Sequence, residues 1–409
     1  MKLKNNVKLI DIIFFLCIMS IFIKFTFIYP VFFTVFIILS FIIELKNNQN
    51  DIRVNYWQMF LILFSFWVCF VNYINGNSDI VNIIKFYINI FFLIAIPFYL
   101  RTLNKRYPII QKKIFLIIEI LIFANFLQIL TIYFTLNVFT NIISNGVTNS
   151  DAAYYITSNP NLILLGSESK NIWSTKIALI QIVYLIGINL NLHKRHKIFM
   201  FLINLIAILN VFMLLGRTAQ LAYIVVLGFI IFKEILKAKQ LFYLYLSLIG
   251  SGFLLIKVIP IIYDKIFHIN FNITDGGFIR LQYWITFVQH FTDTNYIIGN
   301  GFFSAKEFLS NYAYLYIGET NMHNVLLNNL LDWGIVGTIL YSIFIILFLK
   351  AVYDKLQEFF MFVITIVMPL TIIMSLQYLG YDNDLMIFFA LIMILSNIYF
   401  TKSKKEEFI

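Results

Sequence analysis

The chain has 409 residues, of which 61% are hydrophobic and only 12% are charged, and its formal net charge is +10. Soluble domains carry roughly 25% charged residues, so this composition excludes an ordinary soluble protein. Apolar runs of about 18 or more residues, long enough to cross a bilayer, recur along the whole chain. The sequence therefore predicts one polytopic, all-α membrane domain over residues 1–409.

Hydrophobic periodicity and run length predict twelve membrane spans in chain order. They are 9–26, 28–45, 57–74, 80–100, 114–136, 172–192, 198–216, 218–233, 240–260, 325–349, 359–377 and 385–400. The N-terminus starts like a signal peptide but has no small-residue cleavage site before the next apolar run, so we expect an uncleaved first span. Two long polar segments, 137–171 and 261–324, separate the spans.

The basic residues predict the orientation of these spans. If the N-terminus is cytoplasmic, 21 Lys and Arg residues fall in cytoplasmic segments and 6 in external ones, as the positive-inside rule requires. Both termini are then cytoplasmic, and both long polar segments are external. Topology thus explains the positive charge, and we expect no nucleic-acid partner. Neither a P-loop nor a G-x-G-x-x-G motif occurs, so an ATP-driven pump is not expected.

Two external arginines run against this charge pattern. Arg217 lies in "LLGRTAQ" between two apolar runs, where a charge costs a few kcal/mol. It either snorkels to lipid phosphate or is held between closely packed helices, which Gly216 favours. Arg280 lies in "DGGFIRLQYWITFVQHF", an expected amphipathic helix on the membrane with Tyr283 and Trp284 at headgroup depth. The local pattern alone favours an interfacial lipid contact for Arg280.

The segment "HNVLLNNLLDWGIVG" combines a histidine with a polar ladder. After His323, the ladder residues Asn324, Asn328 and Asp332 recur every four positions and share one helix face. A polar face on a membrane helix should point into the bundle or a wet cavity. Hydrogen bonds between helices explain it as well as a binding site does. A lone histidine at a membrane surface is ordinarily structural.

The other ionisable residues near or within spans are weaker candidates, and we assign them no catalytic role. Glu119 and Lys176 could pair across helices. Asp382 and Asp384, in the last external turn, could face the same cavity as His323.

Taken together, the ordered motifs resemble those of the bacterial O-antigen polymerase and ligase superfamily. The set comprises "LLGRTAQ", "RLQYW", "IIGNGFF" and "HNVLLNNLLDWGIVG". The resemblance covers the topology of nearly the whole chain, and its specific motifs lie in 214–220 and 277–337. It implies a GT-C-like bundle of about twelve helices whose long external loop, 261–324, carries site residues on amphipathic helices.

The resemblance also implies glycosyl transfer on the outer face of the bacterial cytoplasmic membrane. Donor and acceptor would be oligosaccharide repeat units on undecaprenyl diphosphate, with no cofactor and no metal. The expected catalytic residues are His323 as general base and Arg217 and Arg280, which would stabilise the diphosphate leaving group. The expected substrate-binding residues are Arg217, Arg280, Asn324, Asn328 and Trp284.

The leading expectation is a repeat-unit polymerase for capsule, exopolysaccharide or O-antigen. The alternatives are a ligase that hands a finished chain to a lipid A core, a lipid-linked oligosaccharide flippase or other transporter, and a non-catalytic assembly partner. A transporter should show two related halves and polar residues near mid-membrane, whereas the unusual polar residues here concentrate at the outer face. Besides lipid-linked oligosaccharides, the expected partners are membrane lipids, a flippase and a chain-length regulator.

Overall fold

A computed structural model describes residues 2–25, 27–47, 54–76, 79–103, 106–136, 161, 163–167, 169–193, 195–214, 216–237, 276–377 and 380–407. Over these ranges the protein is a bundle of α-helices, eight of which are long and apolar enough to cross a membrane. The predicted all-α, polytopic membrane fold is therefore confirmed.

The helices of the described ranges follow one another without strands between them. They are α1 Lys2–Ser20, α2 Ile28–Asn47, α3 Tyr56–Ile74, α4 Ile80–Leu103, α5 Tyr107–Thr135, α6 Lys170–Asn189, α7 Lys197–Met213, α8 Arg217–Lys237, α9 Gly276–His290, α10 Ser304–Tyr312, α11 Val325–Leu356, α12 Phe359–Leu376 and α13 Asn383–Glu407. Eleven predicted spans coincide with one of these helices, whereas 240–260 lies outside the described residues. Most of the loop 137–171 lies outside them too.

Three of the helices, α4, α6 and α13, form the centre of the bundle. Helix α13 packs against α4, α6 and α11, and its residues 384–396 are buried without interruption. A helix that is apolar on all sides is stable only when neighbours surround it. Around this centre, α2 packs against α1 and α4, α3 against α11, and α8 against α6 and α12.

The charged residues inside the bundle pair differently from the sequence-based expectation. Glu119 does not pair with Lys176. It lies 2.8 Å from Nε2 of His193 and accepts a hydrogen bond from Arg195 at 3.2 Å. The Lys176 ammonium group instead donates to the carbonyl oxygen of Ile21 at 2.8 Å. The predicted pair is wrong because α6 turns Lys176 toward the end of α1.

Helix α11 is broken at Gly334, and the break explains why glycines recur in both late motifs. Gly334 has φ +64° and ψ −172°, a conformation that only glycine adopts without strain. A Cβ atom on Gly334 would lie 2.3 Å from the Ile297 carbonyl oxygen, and one on Gly299 would lie 2.5 Å from that of Asp332. The two backbones therefore approach too closely for any side chain.

The same break leaves carbonyl groups of α11 without helical donors, and the loop before α10 supplies them. The N–H groups of Asn300 and Gly301 donate to the carbonyl oxygens of Leu331 and Asp332, both at 2.9 Å. Buried backbone groups in a membrane protein must find such partners. The loop and the first half of α11 thus form one hydrogen-bonded unit, which carries the histidine motif.

Helix α9 buries one apolar face within the protein, whereas the sequence predicted a helix lying on the membrane. Ile279, Tyr283 and Phe287 pack into a small apolar core with α10 and the start of α11. Tyr283 was expected at headgroup depth, but it is fully buried. The exposed face carries Leu281 and Val288, so α9 keeps a second apolar surface on its outside.

Candidate active site

His323 lies directly before α11 in a backbone conformation that residues other than glycine rarely adopt. Its φ is +51°, a left-handed value that histidine tolerates better than most residues. The backbone N–H of His323 donates to Oδ1 of Asn321 at 2.9 Å. The loop therefore holds His323 in a strained backbone conformation. Such strained positions cluster at functional sites.

Asn324 caps helix α11. Its side-chain oxygen accepts the N–H of Leu327 at 3.2 Å, which satisfies one of the free donors at a helix start. Its Nδ2 donates to the carbonyl oxygen of Ser375 at 3.3 Å. Both polar atoms of the Asn324 side chain thus bond within the chain in this structure, and its expected substrate contact stays a prediction.

The imidazole of His323 lies against the carboxylate of Glu319, which was not among the expected site residues. Nε2 of His323 is 3.4 Å from Oε2 of Glu319, and the His323 side chain is 17% exposed. Nδ1 of the same ring is buried with no hydrogen-bond partner among the described residues. A neutral imidazole carries one N–H and one lone pair. The carboxylate favours the hydrogen on Nε2, which leaves the Nδ1 lone pair available as an acceptor.

Arg280 acts on the same carboxylate. The hydrogen bond from His323 lowers the pKa of the Glu319 carboxyl below its usual value, and the charges of His323 and Arg280 lower it further, while partial burial opposes them. Glu319 is therefore ionised at neutral pH, beside the His323 imidazole and near enough to Arg280 for the two charges to interact. We call Arg280, Glu319 and His323 the Glu319 cluster.

Two further expected substrate residues, Trp284 and Asn328, hold the residue before His323. Nε1 of Trp284 donates to the Met322 carbonyl oxygen at 2.9 Å, and Oδ1 of Asn328 accepts the Met322 N–H at 3.0 Å. Asn328 is 1% exposed and also donates to the Asn324 carbonyl oxygen at 3.1 Å. These positions suit clamps on the histidine loop better than contacts to a substrate.

Asp332, the last member of the polar ladder, fixes the start of α10. Its Oδ1 accepts both the backbone N–H of Ser304 at 3.1 Å and the Ser304 hydroxyl at 2.7 Å. The ladder therefore bonds to neighbouring segments, which is the structural alternative that the sequence left open.

Arg217 is the first residue of α8 and is exposed. A Cβ atom on Gly216 would lie 1.8 Å from Oγ of Ser174 in α6, so the predicted close helix approach is present. Lys170, the first residue of α6, is near enough for its charge to interact with that of Arg217. Two cations at two helix N-termini form a strongly positive surface, which suits a phosphate group.

The end of α12 bonds both to α6, near Gly216, and to the start of α11. Thr175 follows Ser174, the residue that Gly216 approaches. The Thr175 hydroxyl donates to Oε1 of Gln377 at 2.7 Å. Asn324 bonds to Ser375 in the same helix end. The structure thus puts His323 in contact with Glu319 and Arg280 within electrostatic range of that carboxylate, and Arg217 lies at the same end of the bundle.

Glu319 is the site residue that sequence reasoning missed. It lies four positions before the histidine in "GETNMH", which was the only available signal. The loop between the two residues is irregular, so no helical spacing predicts that their side chains meet.

Residues 202–342 match the family described as O-antigen ligase (Wzy_C). The matched segment runs from α7 to the middle of α11, and it contains Arg217 and the whole Glu319 cluster. No curated protein matches the chain closely enough to be called a relative.

Proposed function

We propose that this chain, a member of the O-antigen polymerase and ligase superfamily, polymerises oligosaccharide repeat units that are linked to undecaprenyl diphosphate. Membership supports a membrane function of the O-antigen polymerase or ligase type. We propose in addition the polymerase activity and the undecaprenyl diphosphate carrier. The product would be capsule, exopolysaccharide or O-antigen.

The observation that carries the proposal is the pair of Glu319 and His323. A carboxylate that holds one imidazole nitrogen leaves the other nitrogen in place to accept a proton, as in catalytic triads. In the proposed reaction, Nδ1 of His323 takes the proton from a hydroxyl group of the acceptor sugar. Glu319 then stabilises the imidazolium through its contact with Nε2.

The bond changes balance without a further reactant. The deprotonated acceptor oxygen forms a bond to the anomeric carbon of the donor chain. The bond from that carbon to the diphosphate oxygen breaks, and undecaprenyl diphosphate leaves with the electron pair. Arg280 and Arg217 stabilise its growing negative charge, since guanidinium groups bind phosphate oxygens in pairs and stay ionised. Because the arginines supply this positive charge, we propose that no metal is required.

The charge pattern supports an external location for this chemistry. The basic residues favour cytoplasmic termini in a bacterial cytoplasmic membrane, and the histidine end of the bundle then faces outward. In a lipid-linked donor the bond from the anomeric carbon to the diphosphate is already activated, because the diphosphate is a good leaving group, so no nucleotide is needed there. We further propose membrane lipids, a flippase and a chain-length regulator as partners.

Reconstitution of the purified protein in liposomes with one defined undecaprenyl-diphosphate-linked repeat unit tests the proposal. A polymerase gives a ladder of longer lipid-linked products, releases undecaprenyl diphosphate and tolerates a chelator. A ligase gives no ladder and transfers the glycan only when a lipid A core acceptor is added. Movement of the lipid across the membrane without a new glycosidic bond would instead support a flippase and overturn the proposal.

A further inference from the structure

A cavity of about 650 Å³ opens at the histidine end of the bundle, beside Asn321. Its walls come from the turn between α1 and α2, from α4 and α6, and from the start of α13. Ligand sites in proteins typically measure about 300–1,000 Å³. The cavity is thus large enough for part of an oligosaccharide. The catalytic groups of the proposed reaction are not among its described lining residues.

The cavity is rich in charge for a membrane protein. Among its described lining residues are the ammonium groups of Lys24, Lys85 and Lys176 and the carboxylates of Asp382 and Asp384. Charged groups at such positions are costly, and they usually mark a substrate pathway or a binding site. Asp382 and Asp384 were expected to face the same cavity as His323, and they line this cavity together with Asn321 from the histidine loop, whereas His323 is not among its described lining residues. Three cations against two anions favour a ligand that carries negative charge.

The polar groups of the wall are ordered and still have capacity to bind. Lys176 gives one hydrogen bond to the Ile21 carbonyl oxygen, although an ammonium group can donate three. Oε1 of Gln377 accepts from Thr175, which fixes the side-chain amide. Nε2 of Gln377 is buried with no partner among the described residues. A buried donor left unpaired costs about 1–3 kcal/mol, so this amide group favours a ligand with acceptor oxygens.

The cavity reaches the loop that carries the proposed general base. Asn321, which lines the cavity, accepts the backbone N–H of His323 at 2.9 Å. A sugar that contacts Asn321 therefore lies next to the histidine loop, where the proposed reaction needs the acceptor hydroxyl. Every other described lining residue lies outside the matched segment 202–342. The family segment thus holds the proposed catalytic groups, while the rest of this chain builds the cavity.

We infer that this cavity binds the acceptor oligosaccharide, and that its lysines select repeat units with an acidic sugar such as a uronic acid. The inference rests on the proposed function, which makes the glycan next to His323 the acceptor. The polar groups of the wall match the hydroxyl and carboxylate groups of such a glycan. The rings of Phe25, Phe27 and Tyr29, which also line the cavity, offer apolar faces to the C–H faces of sugars.

Binding of two soluble tetrasaccharides to the purified full chain tests the inference. The probes are a hyaluronan tetrasaccharide, which carries uronate groups, and chitotetraose, which is neutral and of equal length. We expect the wild-type protein to bind the acidic probe at least about fivefold more tightly, as one added charge contact would give. Lys85→Gln should remove most of this preference, and Asp382→Asn should increase it. Added salt should weaken binding of the acidic probe.

Lys306→Gln is the matched control, because Lys306 is exposed on α10 at the same end of the bundle and does not line the cavity. It should bind both probes as the wild type does. Lys24→Gln replaces Lys85→Gln if the latter lowers the yield of folded protein. Equal affinity of the wild type for both probes, or equal effects of Lys85→Gln and Lys306→Gln, would overturn the inference.

His323→Ala separates this inference from the proposed function. It should keep the preference for the acidic probe and lose polymer formation in liposomes. If His323→Ala still forms polymer while Lys85→Gln loses the binding preference, the catalytic proposal fails and the cavity assignment stands.

Discussion

Glu319 holds one nitrogen of the His323 ring and leaves the other without a partner: Nε2 lies 3.4 Å from the carboxylate, and Nδ1 is buried and unbonded among the described residues. A purely structural histidine would be expected to satisfy both nitrogens, because an unpaired buried polar atom is costly. The open nitrogen therefore supports a role in proton transfer.

Replacing Glu319 by Gln should lower polymer formation by about 100-fold or more, since an amide neither orients the imidazole in the same way nor stabilises its charged form. The rate of undecaprenyl diphosphate release in liposomes measures the effect. Glu307→Gln is the matched control, because Glu307 is exposed on α10 and should tolerate the change. Equal rates for the two variants would remove Glu319 from the mechanism.

The contribution of Glu319 to stability should depend on pH. The hydrogen bond from His323 lowers the pKa of Glu319, so the ionised carboxylate stabilises the folded protein at pH values above the unfolded pKa of about 4.3. This stabilisation is lost as the pH falls through the folded pKa. The wild type should melt at a higher temperature than Glu319→Gln at pH 7, and the difference should shrink as the pH falls through the lowered pKa of Glu319. A difference in melting temperature that does not change with pH would show that the pair contributes no ionic stabilisation.

The sequence predicted the helices well because membrane spans depend on run length and hydropathy, which are local properties. It predicted the partners of polar residues less well. The ladder of Asn324, Asn328 and Asp332 does share a helical register, but its bonding partners are Ser375 near the end of α12, Met322 in the irregular loop before α11, and Ser304 at the start of α10. No periodic pattern encodes such contacts, and the same reason explains why Glu319 was missed.

Gly334→Ala should destabilise the protein by more than about 1 kcal/mol, because the residue has a positive φ and its Cβ would meet the Ile297 backbone at 2.3 Å. Gly228→Ala is the control within α8, because a Cβ atom at Gly228 would meet nothing within 4 Å. This substitution should stabilise the helix slightly. Thermal melting in detergent checks both variants. Equal melting temperatures would contradict the assignment of Gly334 as the obligatory break in α11.

Arg217→Lys and Arg280→Lys should each slow undecaprenyl diphosphate release by about 10-fold to 100-fold. Lysine keeps the charge, but it loses the planar pair of donors that binds two phosphate oxygens at once. Arg195→Lys, next to Glu119 beyond the other end of α6, should leave the rate unchanged. Full activity of Arg217→Lys would exclude a paired guanidinium contact between Arg217 and the diphosphate.

The most direct test of the central claim is the rate of polymer formation by His323→Ala in liposomes that contain one defined lipid-linked repeat unit. The acceptor proton then has no imidazole to receive it, so we predict a loss of at least about 100-fold with unchanged amounts of folded protein in the membrane. A His323→Ala rate within about twofold of the wild-type rate would contradict the assignment of this residue as the base.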